Sequence, residues 1–244
     1  MLAAAATKPD AAPVDASPSA TAPIWSGESG GVRIEWTANG IFLAAAEGGK
    51  VDLFDRSKSE PGCDGEQSDR LLSVVGSLVS YEEFVGTTCE QAAHPSAVTL
   101  YVAVDAGHRD KKPSLTDFFA DADLVRALSA DPLVRRHLPK NPPHTSGAFV
   151  KALTESQTEC EYAFDPDMLS RFAFHHVEGG QVSVRIGLSH GCELARGKLT
   201  QLGILLPVPA KLKDALERAS TRAEGFLMRD AQAIGRGKQT SFRF

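Results

Sequence analysis

Four cysteines, Cys63, Cys89, Cys160 and Cys192, constrain this 244-residue chain more than any other feature. Their number is even, none forms a C-x-x-C pair, and zinc-ribbon spacing is absent. Such a set reads as two disulfides made in an oxidising compartment. Three connectivities are open. Cys63 with Cys89 and Cys160 with Cys192 is the expected pairing, because each pair lies near the ends of predicted strands. Loops of that size contribute roughly 3–4 kcal/mol each in the chain-entropy account.

The N-terminus agrees with export. Met1-Leu2 and four alanines precede a Pro, Ala, Ser and Thr tract that runs to Pro23. This resembles the small-residue end of a signal peptide followed by a spacer. Residues 1–26 are therefore expected to be disordered, and residues 27–244 to form a single α+β domain. Hydrophobic residues make up 42% of the chain, enough for a packed core. No apolar run approaches the roughly 18 residues of a membrane helix. The net charge is −5, which argues against a nucleic-acid binder. Residues 195–244 carry +6, which leaves −11 on the rest. An acidic body of this kind steers basic partners toward it.

The periodicity is mostly that of strands. Val32 to Trp36 alternates, Asn39-Gly40 marks a hairpin turn, and Ile41-Phe42-Leu43 begins the return. Lys50 to Phe54 reads as a third short strand. Residues 55–69 read as a polar loop pinned by Cys63, and Glu60 to Asp69 as an exposed acidic stretch. Leu71 to Thr88 reads as long β structure bent at Gly76 or Gly86. Ala97 to Val104 is apolar on both faces, as in a central strand. A helix is predicted from Ser114, a candidate N-cap, along Leu115, Phe118, Phe119, Ala122, Val125 and Leu128 until Pro132. Phe149, Val150 and Leu153 mark another. Strands follow at Cys160 to Phe164, Arg171 to Val177, Gln181 to Leu188 and Leu199 to Val208. Gly179-Gly180 forms a turn, and Pro209 opens a helix. Leu227, Ala231 and Ile234 line a basic terminal helix. Strands, helices, strands and a helix in that order favour α+β over a doubly wound sheet. The expected fold is an antiparallel sheet packed with a few helices and stapled by disulfides.

Three strings carry a family likeness. They are Ala92-Ala93-His94-Pro95 before the strand Ala97 to Val104, Ser114-Leu115-Thr116-Asp117-Phe118-Phe119, and Phe172-Ala173-Phe174 followed by Gly179-Gly180-Gln181-Val182. Over about residues 70–190 the chain resembles a family of extracytoplasmic domains found in a lysozyme-sensing anti-sigma factor and beside some peptidoglycan deacetylases. Gln91-Ala92 stands where that family has Gly-Gly. The resemblance implies a binding domain without catalytic residues of its own. It also implies lysozyme, another basic envelope protein or peptidoglycan as partner, and a periplasmic or secreted location. The turn Ala93-His94-Pro95 is the candidate contact.

A second string points to chemistry. Ser189-His190-Gly191-Cys192 is similar to the signature of the L,D-transpeptidases, which cross-link peptidoglycan through a cysteine thiolate. A nearby histidine lowers the pKa of such a thiol. In that reading Cys192 is the nucleophile of an acyltransferase, supported by His190 and by His175 or His176. The family's Arg two residues after the Cys is Leu194 here. Otherwise Cys192 is half of a disulfide and Gly191 supplies a turn. His175, His176, His190 and Cys192 also invite a metal reading. Adjacent histidines on a strand point to opposite faces, so only one would join a site, and no metal is expected. Asp165-Pro166-Asp167 reads as a turn. No G-x-S-x-G, Walker A, H-E-x-x-H or dinucleotide fingerprint is present, and no cofactor is expected. The main expectation is an exported envelope binding domain, and the alternative is the cysteine acyltransferase.

Overall fold

The computed structural model describes residues 23–44, 49–53, 62–90, 92–156, 159–234 and 240–243. Residues 1–22, most of the expected spacer, lie outside the described residues, as do 54–61. Among the described residues the fold is α+β, mostly antiparallel sheet with five short helices.

Strands β1 (Trp25–Ser29), β2 (Val32–Thr37), β3 (Gly40–Ala44) and β4 (Lys50–Asp52) form an antiparallel meander in that order. β1 begins two residues before the expected domain boundary, and Trp25 pairs with Trp36 of β2. The second sheet has the order β11-β5-β6-β7, from β5 (Cys63–Val75), β6 (Leu78–Cys89), β7 (Ser96–Asp105) and β11 (Thr240–Arg243). The third contains β8 (Phe172–Glu178), β9 (Gln181–Leu188) and β10 (Thr200–Pro207) in the order β10-β9-β8. The β8–β9 turn places Gly179 and Gly180 at φ 57° and 77°. Two successive positive φ angles make the primed turn whose twist matches a two-residue hairpin.

The second sheet is the middle layer. Its Leu71, Val74, Val79 and Tyr81 meet Ile34, Trp36, Ile41 and Leu43 of the first sheet, joined by Phe226. Trp25 lies edge-on to Phe226 with ring centroids 5.0 Å apart. On the other side, Leu72 and Tyr101 meet Ala173 of β8. The largest core lies between the third sheet and the helices, with Phe149, Phe172, Phe174, Val184, Ile186 and Leu202 fully buried. This layering explains β7. It was expected to be a central strand because both its faces are apolar. It is an edge strand, and both faces are apolar because the sheet itself is covered on both sides.

Helices α1 (Asp121–Ala130), α2 (Pro132–Arg135) and α3 (Ser146–Thr154) follow β7, and α4 (Lys213–Ser220) and α5 (Met228–Ile234) follow β10. The single helix expected from Ser114 is broken. Ser114 caps only the 3-10 turn Leu115–Asp117, in a reciprocal capping box with Asp117. α1 starts afresh at Asp121. The cause lies in the spacing, since Leu115 and Phe119 bury themselves from a tight turn. Pro209 likewise precedes a 3-10 turn, Ala210–Leu212, before α4 begins.

Two further expectations are corrected. Residues 63–69 are not a loop but the first half of β5, with Gln67, Ser68 and Asp69 buried. Their polarity misleads because these side chains lie where β11 and β6 flank the strand. Cys160 to Phe164 is not a strand but an irregular segment with isolated bridges Glu159–Tyr162 and Ala163–Ser189.

Candidate binding site

Both disulfides form in the expected pairing, Cys63–Cys89 and Cys160–Cys192, and the described residues include no free cysteine. Cys63 and Cys89 face each other directly across the open end of the β5–β6 hairpin. Cys160 is joined to the loop between β9 and β10. Each bridge therefore pins a connection rather than a strand interior.

The Ser189-His190-Gly191-Cys192 string sits in that second connection, and every member has a structural partner. Ser189 Oγ donates to Asp165 Oδ2 at 2.6 Å. Arg171 holds the same carboxylate oxygen at 2.8 Å and reaches Asp167 at 3.0 Å. His190 Nδ1 lies 3.1 Å from the Cys192 carbonyl oxygen. Gly191 donates its amide to the Cys160 carbonyl at 3.1 Å. A Cβ at Gly191 would come within 1.8 Å of the Glu159 carbonyl oxygen. Nearby Tyr162 is buried, and burial, followed by the Glu159 carboxylate, pushes its phenol up to about 12. With its sulfur bonded to Cys160, Cys192 holds no thiolate, the species an acyl transfer requires.

The expected contact turn lies at the same end of the molecule. Ala92, Ala93, His94 and Pro95 are all exposed in the link between β6 and β7. The loop after Cys192 crosses over to them. Gly197 donates its amide to the Ala97 carbonyl at 3.0 Å, and Thr99 Oγ1 donates to the Gly197 carbonyl at 2.8 Å. Arg196 then reaches back, with Nη1 3.1 Å from His94 Nδ1 and 2.8 Å from Glu193 Oε2. Thus two strings 98 residues apart, His94 and Cys192, meet through one arginine.

Leu194 stands at the tip of this loop and is 89% exposed. An open groove of about 350 Å³ runs beside Pro95, floored at Gly86 and flanked by Asp64, Glu66 and Phe84. Asp64, Glu66, Glu90 and Glu193 are exposed around this end, against Arg196 and Lys198. Leu194, Glu193 and Arg196 were not among the expected contacts. The signal in the sequence was an apolar residue in a polar connection, Cys192-Glu193-Leu194-Ala195-Arg196. The same residue, Leu194, also departs from the enzyme signature.

The histidine pair departs from expectation as well. A β-bulge between Phe174 and His176 cancels the strand alternation. His175 and His176 consequently turn toward each other, with their Nδ1 atoms 2.7 Å apart. Burial, then Arg185, His176 and Arg229, holds His175 below its ordinary 6.5. Among the described residues no group of three or more His, Cys, Asp or Glu side chains is placed to hold a metal ion. His190 faces its own loop, not this pair.

No protein-family model, no curated protein and no solved structure matches the chain. Among the described residues no helix is long and apolar enough to cross a membrane.

Proposed function

We propose that this chain is an exported cell-envelope domain that binds a protein or wall partner and performs no chemistry of its own. The observation that carries the reading is the meeting of the Ala93-His94-Pro95 turn with the Cys192 loop. Both are pinned near a disulfide, they are tied through Arg196 and His94, and they present an almost fully exposed leucine. An exposed leucine on a held loop, rimmed by charge, has the anatomy of a contact surface with an apolar centre and a polar edge. Rigid presentation lowers the ordering cost of association. Two disulfides support an oxidising compartment, periplasmic or outside the cell.

The partner that suits this end is basic. Asp64, Glu66, Glu90 and Glu193 are exposed at this end, and the chain as a whole is acidic. Lysozyme is the basic protein implied by the family resemblance, and peptidoglycan is the wall ligand. The test is a titration of the full chain with lysozyme and, separately, with purified peptidoglycan sacculi. A Leu194→Asp variant serves as the surface control. Micromolar binding that the variant weakens at least roughly tenfold supports the reading. No interaction with lysozyme at micromolar concentration rules out that partner. Binding that Leu194→Asp leaves unchanged places the contact elsewhere on the molecule.

A further inference from the structure

Glu66 pairs with Gly86 across β5 and β6, Gly86 pairs with Ala97 across β6 and β7, and Asp64 pairs with Thr88. Directly opposed residues share a face of a sheet, as do residues two apart on one strand. Asp64, Glu66, Phe84, Gly86 and Ala97 therefore stand on one face of the second sheet. With Pro95 they line the open groove of about 350 Å³ at the disulfide-pinned end.

The apolar part of this groove is an aromatic ring set in place by glycine. A Cβ at Gly86 would lie 3.2 Å from Phe84 Cζ and 3.3 Å from Cε1, closer than side chains ordinarily pack. One at Gly197, in the loop after Cys192, would lie 3.5 Å from Phe84 Cε2. The ring thus fills the space left over Gly86 and abuts the Cys192 loop, yet it is only half-buried. The face of such a ring is electronegative and attracts cations.

The charged part has one sign. None of the described residues lining the groove is Lys, Arg or His. Asp64 and Glu66 are exposed, and among the described residues neither side chain has an ion-pair partner. Glu82, farther along the same face, differs in being held by Arg70 at 2.8 Å. Arg243 stands opposite Glu66 in the β11–β5 register, whereas Asp64 lies beyond that ladder with Thr88 across from it on β6. Asp64 is therefore the carboxylate that most lacks a cation.

We propose that this groove takes one arginine side chain of the basic partner. The guanidinium lies against Phe84 and donates to Asp64 and Glu66, and its aliphatic stem runs along Pro95 and Ala97. A planar guanidinium both stacks on an aromatic ring and forks to carboxylates, whereas an ammonium is a compact, strongly hydrated point charge. Its donors lie on several sides, so it can reach two carboxylates set about 7 Å apart along a strand. Arginine is also among the residues that most often anchor an interface. The proposal rests on the contact surface proposed above and names the side chain that surface selects.

The test is an amide-resolved NMR titration of the full chain with N-acetylarginine methylamide. N-acetylcitrulline methylamide, its neutral isostere, and N-acetyllysine methylamide run in parallel. Saturable shifts centred on Asp64, Glu66, Gly86 and Ala97 are expected for the arginine probe. The citrulline probe should bind at least about fivefold more weakly, and the lysine probe about twofold more weakly. Asp64→Asn should weaken the arginine probe about threefold, and Phe84→Leu by about the same factor. Asp64 is exposed, so its variant should fold as the parent does. Equal binding of arginine and citrulline, tighter binding of lysine, shifts elsewhere on the chain, no saturable shift, or an Asp64→Asn variant of unchanged affinity would overturn the proposal. A lysozyme titration separates the groove from the surface it belongs to. Lysozyme binding that Leu194→Asp weakens, but that Asp64→Asn with Glu66→Gln leaves unchanged, keeps the surface and overturns the groove. Arginine binding in the groove of a chain that does not bind lysozyme keeps the groove and removes that partner.

Discussion

Replacing Gly191 by alanine should unfold part of the Cys192 connection. The new methyl carbon would sit 1.8 Å from the Glu159 carbonyl oxygen and 2.8 Å from that of Tyr162. A normal carbon–oxygen contact is about 3.3 Å, so one backbone must retreat by more than an ångström. Neither is free to do so. Cys160 and Cys192 are covalently joined, Ala163 donates to Ser189 at 2.8 Å, and Tyr162 is buried beneath. Relief requires loss of the Gly191–Cys160 hydrogen bond, worth about 1 kcal/mol. It also requires the strain of an overfilled site, about 1–3 kcal/mol. The sum is roughly 2–4 kcal/mol, or about 4–16 °C in Tm for a chain of this size. Thermal melts without reductant, alongside denaturant titrations, measure it. Gly147→Ala is the control, because its Cβ meets nothing. It should be neutral or slightly stabilising. If Gly191→Ala melts within about 1 °C of the parent, the close approach is wrong, and so is the structural role given to the glycine of this string.

Other substitutions test other parts of the fold. Tyr101 buries a hydroxyl that has no partner among the described residues, so Tyr101→Phe should change stability by less than about 1 kcal/mol or increase it. A clear loss in denaturant titration would mean that the hydroxyl is satisfied. His175 is held below 6.5, mainly by burial. The unfolded chain therefore takes up this proton first as pH falls. The stability it contributes is complete above 6.5 and is lost as pH falls toward the lowered value. A His175→Gln variant should show a flatter pH dependence of its denaturant midpoint between about pH 5 and 7, and an unchanged slope would contradict the burial. Cys63→Ser with Cys89→Ser opens a bridge spanning 26 residues. It should cost about 3.5 kcal/mol in the chain-entropy account, and a loss under about 1 kcal/mol would show that the hairpin is held closed without it.

The strands of the third sheet were legible because alternating apolar residues and a Gly-Gly turn act locally. The hairpin turn between β2 and β3 was placed within one residue for the same reason. The Cys63–Cys89 pairing was legible because a cross-strand bridge needs only two strand ends in sequence proximity, whereas Cys160–Cys192 formed as expected although neither cysteine lies in a strand. What escaped is non-local. The polar run at residues 63–69 became strand because β11 arrives from the far end of the chain to flank it. The apolar faces of β7 reflected two layers above and below, which a single strand cannot distinguish from a central position. The bulge that turns His175 toward His176 has no local signature. The candidate site was half legible. The Ala93-His94-Pro95 turn and the Cys192 string were both singled out, but their meeting through Arg196 depends on a crossing of the chain that spacing does not encode.

The proposed pinned surface, the proposed oxidising location and the bridging of the one candidate thiol nucleophile all rest on Cys192. Free thiols should therefore be counted in the folded and denatured chain without reductant, followed by peptide mapping. We expect no free thiol in either state and a linked peptide pair containing Cys160 and Cys192. A free Cys192 that alkylates rapidly near neutral pH would contradict the binding reading and favour a cysteine acyltransferase.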